Sequence, residues 1–131
     1  MSKNYTREEY VYLAKLYERA ERFPDMVNSI NKFVELDPKL TKDERNILSA
    51  GYKNIISDKR ASWRLLNSME RKEEKKNSPQ CANIREIKSI IEKELNKICD
   101  EIQTVIDKYL LPNASDSETK VFFFEIKSRL L

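Results

Sequence analysis

The feature that most limits how this chain can fold is a seam of apolar residues, Ile84, Ile87, Ile91, Leu95, Ile98, Ile102, Val105 and Tyr109, advancing by threes and fours. That spacing winds onto one stripe of an α-helix, and so long a rod with a narrow apolar stripe is stable only with other helices packed along it. Amphipathic segments lie on both sides of the seam in sequence, so it reads as intramolecular core. Only one glycine and four prolines occur in 131 residues, of which 36% are charged, a composition opposed to a turn-rich β-sandwich. The expected fold class is all-α, an antiparallel helical bundle of about five helices in one domain.

Local signals divide the rest. Thr6 with Glu9 makes a capping box, and Tyr10, Leu13, Tyr17 and Ala20 follow at helical spacing, predicting a first helix from about Arg7 to Ala20. Pro24 suits the opening turn of a second helix, whose stripe is Met26, Val27, Ile30, Phe33 and Val34, and Asp37-Pro38 ends it. Thr41 with Glu44 opens a third helix reaching about Glu73, with Leu48, Tyr52, Ile55, Ile56, Trp63, Leu66 and Met69 as its apolar positions. Tyr52 and Trp63, at helical spacing among apolar neighbours, are expected in the core. The stretch from Lys72 to Pro79 has nothing apolar to bury and reads as a solvated helix end and loop. Pro112-Asn113-Ala114 breaks the long seam, and Ser115 with Glu118 is expected to cap a last helix holding Val121, Phe122, Phe123, Phe124, Ile126, Leu130 and Leu131. So much apolar surface on a short element points to a covering partner.

Several function classes lose their footing on composition. With 25 basic residues against 22 acidic, the net charge of +3 is too weak to predict nucleic acid. There is no histidine and no glycine-rich phosphate loop, so no enzyme is expected and no cofactor is predicted. Cys81 and Cys99 lack zinc-site spacing and read as free thiols, while Glu70, Glu73 and Glu74 read as helix-surface charge, so no metal is proposed. The N-terminus has no signal-peptide core, and no apolar run approaches the roughly 18 to 20 residues that cross a bilayer, so the expected location is cytoplasmic or nuclear.

The strongest chemical signal is the run Arg45-Asn46-Ile47-Leu48-Ser49-Ala50-Gly51-Tyr52-Lys53-Asn54-Ile55, followed by Lys59-Arg60-Ala61-Ser62-Trp63-Arg64. Lys53 and Arg60 lie seven positions apart, and two helical turns return them to one face. A guanidinium fork and a compact ammonium together suit a phosphate dianion. For Lys59 and Arg64 a solvated helix face and a place at the cation site carry equal weight.

This run resembles the signature of the 14-3-3 proteins, dimeric all-helical adaptors that bind phosphoserine and phosphothreonine peptides. Ala20-Glu21-Arg22-Phe23-Pro24-Asp25-Met26, Glu92-Lys93-Glu94-Leu95, Ile98-Cys99-Asp100, Leu111-Pro112-Asn113-Ala114-Ser115 and Ser117-Glu118-Thr119-Lys120-Val121-Phe122 extend the resemblance in register. It implies one incomplete domain over residues 1–131, with dimerisation helices in 1–36 and groove-forming helices in 41–131. Its implied phosphopeptide-binding residues are Lys53 and Arg60, with Lys127 as a further groove cation. The family's Arg-Tyr pair would fall, by register, just beyond Leu131, so weak peptide affinity is expected of these 131 residues. Glu125 stands where many members carry a groove-side lysine and is given no binding role. For the dimer, the resemblance implies apolar contacts from Leu16, Ala20, Leu66 and Met69 together with Ser62, and an intersubunit bridge between Arg22 and Glu94. Ile90 replaces the lysine that would pair with Asp25, and Ile87 a tyrosine. The implied partners are phosphorylated client proteins and a second subunit of the same kind, as homodimer or heterodimer, without nucleic acid or membrane. The competing reading is a structural dimerisation module that grips little or no phosphopeptide. Ser62 lies where phosphorylation splits the dimer in some members.

Overall fold

The computed structural model describes residues 4–130; Leu131, expected in the last helix, lies outside them, as does the side chain of Leu130. Five α-helices form: α1 (Arg7–Arg19), α2 (Phe23–Leu36), α3 (Lys42–Lys75), α4 (Cys81–Val105) and α5 (Ser117–Leu130), with a π-helical turn, Ile106–Leu110, continuing α4. The all-α expectation holds, and so do the first two capping boxes, where Thr6 and Thr41 side chains accept from Glu9 and Glu44 amides.

Helices α1 and α2 form a hairpin whose connection passes through Glu21 at φ 56°. Asn77, at φ 53°, turns the chain between α3 and α4. The left-handed conformation at both positions ends a helix and reverses the chain within a few residues. Helix α2 lies on the first half of α3, where Ile30, Phe33, Val34, Leu48, Tyr52 and Ile56 are fully buried. Each such side chain contributes roughly 1.5–3 kcal/mol by leaving water. Gly51 makes the close approach possible, because a Cβ there would run into the terminal methyl of Ile30. From the far side, Ile102, Ile106, Leu110 and Phe123 close the same core.

The second half of α3 is held differently. Glu70 accepts hydrogen bonds from Arg85 Nε at 2.7 Å and Lys88 Nζ at 2.7 Å, and Arg85 Nη2 also reaches Glu74 at 2.9 Å. Lys88 donates to Asn67 at 2.9 Å and sits 4.9 Å from the centroid of the Trp63 ring. Partner numbers on α4 fall as those on α3 rise, so the two helices run antiparallel along a polar clasp. A second tie joins the helix starts: Arg7 bridges to Glu44 at 2.7 Å and donates to the carbonyls of Asp37 and Lys39.

The structure corrects four expectations. Trp63 is half-buried, its indole N–H donating to Glu92 at 2.7 Å, so it belongs to the clasp and not to the apolar core. The seam of α4 is buried at Ile84, Ile102 and Val105, whereas Ile87 is 49% exposed, because the half of α3 beside it offers ion pairs in place of an apolar face. The seam also fails to anticipate Ile106 and Leu110, which face the core through the π turn closed by Leu111 N–H donating to the Ile106 carbonyl at 2.8 Å. Finally, α5 is capped by Asp116 and not by Ser115: Asp116 Oδ1 accepts from the Thr119 amide at 2.7 Å. An ionised carboxylate also complements the positive end of the helix.

The clasp makes stability pH-dependent. Hydrogen bonds from Lys88 and then Arg85 hold the Glu70 carboxyl below the ordinary 4.5, and the Arg7 hydrogen bond does the same for Glu44. A depressed carboxyl contributes stability above its unfolded value, and that contribution is lost as pH falls through the folded value. Urea midpoints are expected to hold steady above about pH 5 and to fall below about 4.5, with Glu70→Gln showing a lower midpoint at neutral pH and a shallower acid decline. An acid decline in the variant as steep as in the parent would exclude Glu70 as a source of the pH dependence.

Candidate functional site

The rotation of α3 about its axis is fixed by what it buries, and this sets where Lys53 and Arg60 point. Tyr52 is fully buried and donates its hydroxyl to Asn31 Oδ1 at 2.6 Å, and burial raises its phenol pKa so that it stays a donor. Ile55 and Ile56 are buried beside it. Lys53 is exposed and takes part in no ion pair among the described residues. Arg60, seven residues on, is half-buried and close enough to Cys99 on α4 to act on its thiol, where burial dominates and raises the pKa while the guanidinium opposes it. The helix is unbroken from Lys42 to Lys75. The two cations therefore differ in bearing by only about 20° and in height by about 10 Å along one rod.

Lys127 lies on α5 and is engaged, donating to Asp107 Oδ1 on the π turn at 2.9 Å. Any anion recruiting Lys127 must compete with Asp107. Glu125 is exposed. The start of α5 is tied to the start of α3 by Arg45, whose Nη1 donates to Thr119 Oγ1 at 2.9 Å while the guanidinium lies 5.7 Å from the centroid of Phe122. Sequence reasoning gave neither Arg45 nor Asp107 a role. Arg45 opens the signature run, whereas nothing in sequence links Asp107 to Lys127, twenty positions away.

The residues expected at a dimer face are mostly uncovered in the single chain. Leu16 and Met69 are each 43% exposed, Ala20 is exposed at the end of α1, and Leu66 is half-buried. Ser62 is exposed, its hydroxyl donating to the Asp58 carbonyl at 3.2 Å. Tyr12, Leu65, Ile87 and Ile90 add further exposed apolar surface. Tyr12 with Leu16, and Leu65 with Met69, stand four residues apart on their helices, a spacing that marks such stripes in sequence. The two residues expected to bridge subunits are paired within the chain instead, Arg22 with Asp25 at 2.7 Å and Glu94 with Lys59 at 2.7 Å.

Comparison with known proteins decides the family. A family model described as 14-3-3 protein matches residues 13–130. The chain belongs to the 14-3-3 family. It is 47% identical over 128 residues to 14-3-3-like protein C of Glycine max, covering 97% of this chain and 50% of that protein. It is 49% identical over 123 residues to the checkpoint signal transducer rad24 of Schizosaccharomyces pombe, covering 93% and 46%. With 14-3-3-like protein GF14 omicron of Arabidopsis thaliana the identity is 50% over 122 residues, covering 92% and 48%. The chain thus spans about half the length of the curated 14-3-3 relatives it matches. Among the described residues no helix is long and apolar enough to cross a membrane.

Proposed function

We propose that this chain works as a 14-3-3 adaptor, binding phosphoserine or phosphothreonine peptides of client proteins in signalling and presenting them from a dimer. The observation that carries the reading is the shared bearing of Lys53 and Arg60 on one uninterrupted helix whose rotation is fixed by the burial of Tyr52 and Ile56. A phosphate dianion bridging an ammonium and a guanidinium gains charge-assisted hydrogen bonds that an unphosphorylated serine cannot make. Lys127 is the further groove cation in this reading, reached when phosphate displaces Asp107. Leu16, Ala20, Leu66 and Met69, with Ser62, form the dimer face, and Arg22 and Glu94 exchange their internal partners for each other across it. The exposure of Leu16 and Met69 supports that face, since contiguous apolar surface of this kind usually marks an interface.

A second reading, a dimerisation module with little peptide affinity, is favoured by one observation: Lys127, the further groove cation, is already engaged by Asp107. Fluorescence anisotropy with a labelled phosphoserine peptide and its unphosphorylated twin separates the two. The 131-residue chain is expected to bind weakly, and a chimera continuing it with the second half of a relative to bind the phosphorylated peptide selectively. Lys53→Glu or Arg60→Glu in the chimera should weaken binding about tenfold or more. Equal affinity of the chimera for both peptides would defeat the phosphate reading.

Ser62 gives the dimer its own test. A phosphate there adds about two negative charges beside Leu66 and Leu65, which are costly to desolvate in an apolar interface. Native mass spectrometry of Ser62→Glu should show monomer where the parent shows dimer. A variant that stays dimeric would remove Ser62 from the interface.

A further inference from the structure

The hydroxyl of Ser115 is left without the capping role its sequence position suggests, because Asp116 caps α5 in its place. Ser115 is exposed in the non-helical stretch 111–116, where the chain can be drawn into an extended strand without unwinding a helix. It is followed by Asp116, Ser117 and Glu118, so acids stand one and three positions after it. It also borders a cavity of about 290 Å³ between the α2–α3 connection and the start of α5, lined as well by Lys39 and Arg45. Asp116 is the acid lining that cavity, and the Arg45 charge already lowers its pKa after the Thr119 hydrogen bonds.

We propose that Ser115 is a phosphorylation site for an acid-directed serine kinase, and that Arg45 and Lys39 hold the resulting phosphate, fastening the start of α5 to the start of α3. The kinase transfers the γ-phosphoryl group of ATP: a bond forms between Ser115 Oγ and the γ-phosphorus, the bond to the bridging oxygen breaks, ADP leaves, and the hydroxyl proton passes to the kinase's own base. Arg45 is the natural holder because its guanidinium presents several donors and spends one on Thr119 Oγ1. A dianion near the first turn of α5 also lies at the positive end of that helix. Ser117, two residues on, is already the first residue of α5 and is a poorer substrate for that reason. The inference stands apart from peptide binding by Lys53 and Arg60.

The test incubates the intact chain with ATP and an acid-directed serine/threonine kinase and locates phosphate by fragment mass spectrometry. One phosphate on Ser115 is expected, absent in Ser115→Ala and retained in Ser117→Ala. No incorporation into the folded chain, or phosphate confined to Ser117 or another residue, overturns the site. Hydrogen exchange then reads the holding contacts. Amides of the first turn of α5 should exchange about fivefold more slowly after phosphorylation, an effect removed in Arg45→Gln and reduced in Lys39→Gln, which leaves the Thr119 bond intact. Unchanged exchange in the phosphorylated parent overturns the role of Arg45 and Lys39.

Discussion

Everything in this molecule is referred to α3, and α3 is held in place by two kinds of force applied to its two halves. The first half is buried against α2, where a single glycine lets the helices meet closely and Tyr52 spends its hydroxyl on Asn31. Apolar contact of this density resists rotation, since turning the rod would pull methyl groups out of a close-packed interior. The second half has little apolar burial and is aligned with α4 by charge, through Glu70, Arg85, Lys88 and Glu74. Ion pairs near solvent contribute modestly to stability, but a carboxylate held by two cations on the neighbouring helix fixes register. One half therefore sets the direction of Lys53, and the other keeps the rod straight enough for Arg60 to repeat it.

That division explains which surfaces are left uncovered. Where α3 and α4 are joined by charge, apolar side chains are not drawn inward, and Leu65, Met69, Ile87 and Ile90 remain at the surface. The uncovered Tyr12 and Leu16 on α1 are of the same chemistry. Arg22 and Glu94 are satisfied within the chain, by Asp25 and Lys59.

Much of the architecture was legible in sequence because it rests on period and punctuation. The capping boxes at Thr6 and Thr41, the proline at the start of α2 and the long seam of α4 each act locally, and each gave an element close to its observed bounds. The misses share a different cause. Helical spacing alone predicts Trp63 and Ile87 inward, but their burial depends on what the facing helix offers, and there α3 and α4 offer each other the polar clasp. Ser115 and Asp116 are both good caps one residue apart, and the Thr119 amide is taken by Asp116, a choice that the sequence spacing alone leaves open. The family was legible from the run around Lys53 and Arg60. The pairing of Lys127 with Asp107 was not, because it arises where α5 crosses the π turn.

If Lys53 and Arg60 act as one phosphate-binding pair, the same ligand must perturb both side chains. Nitrogen-15 NMR of the lysine ammonium and arginine guanidinium groups, recorded while a phosphoserine peptide is titrated in, tests it directly and detects even weak association. The Lys53 Nζ and Arg60 Nε signals are expected to move together with the phosphorylated peptide and to stay still with its unphosphorylated twin. Signals that remain fixed in both titrations while other residues respond, or that move alike in both, would contradict the pairing.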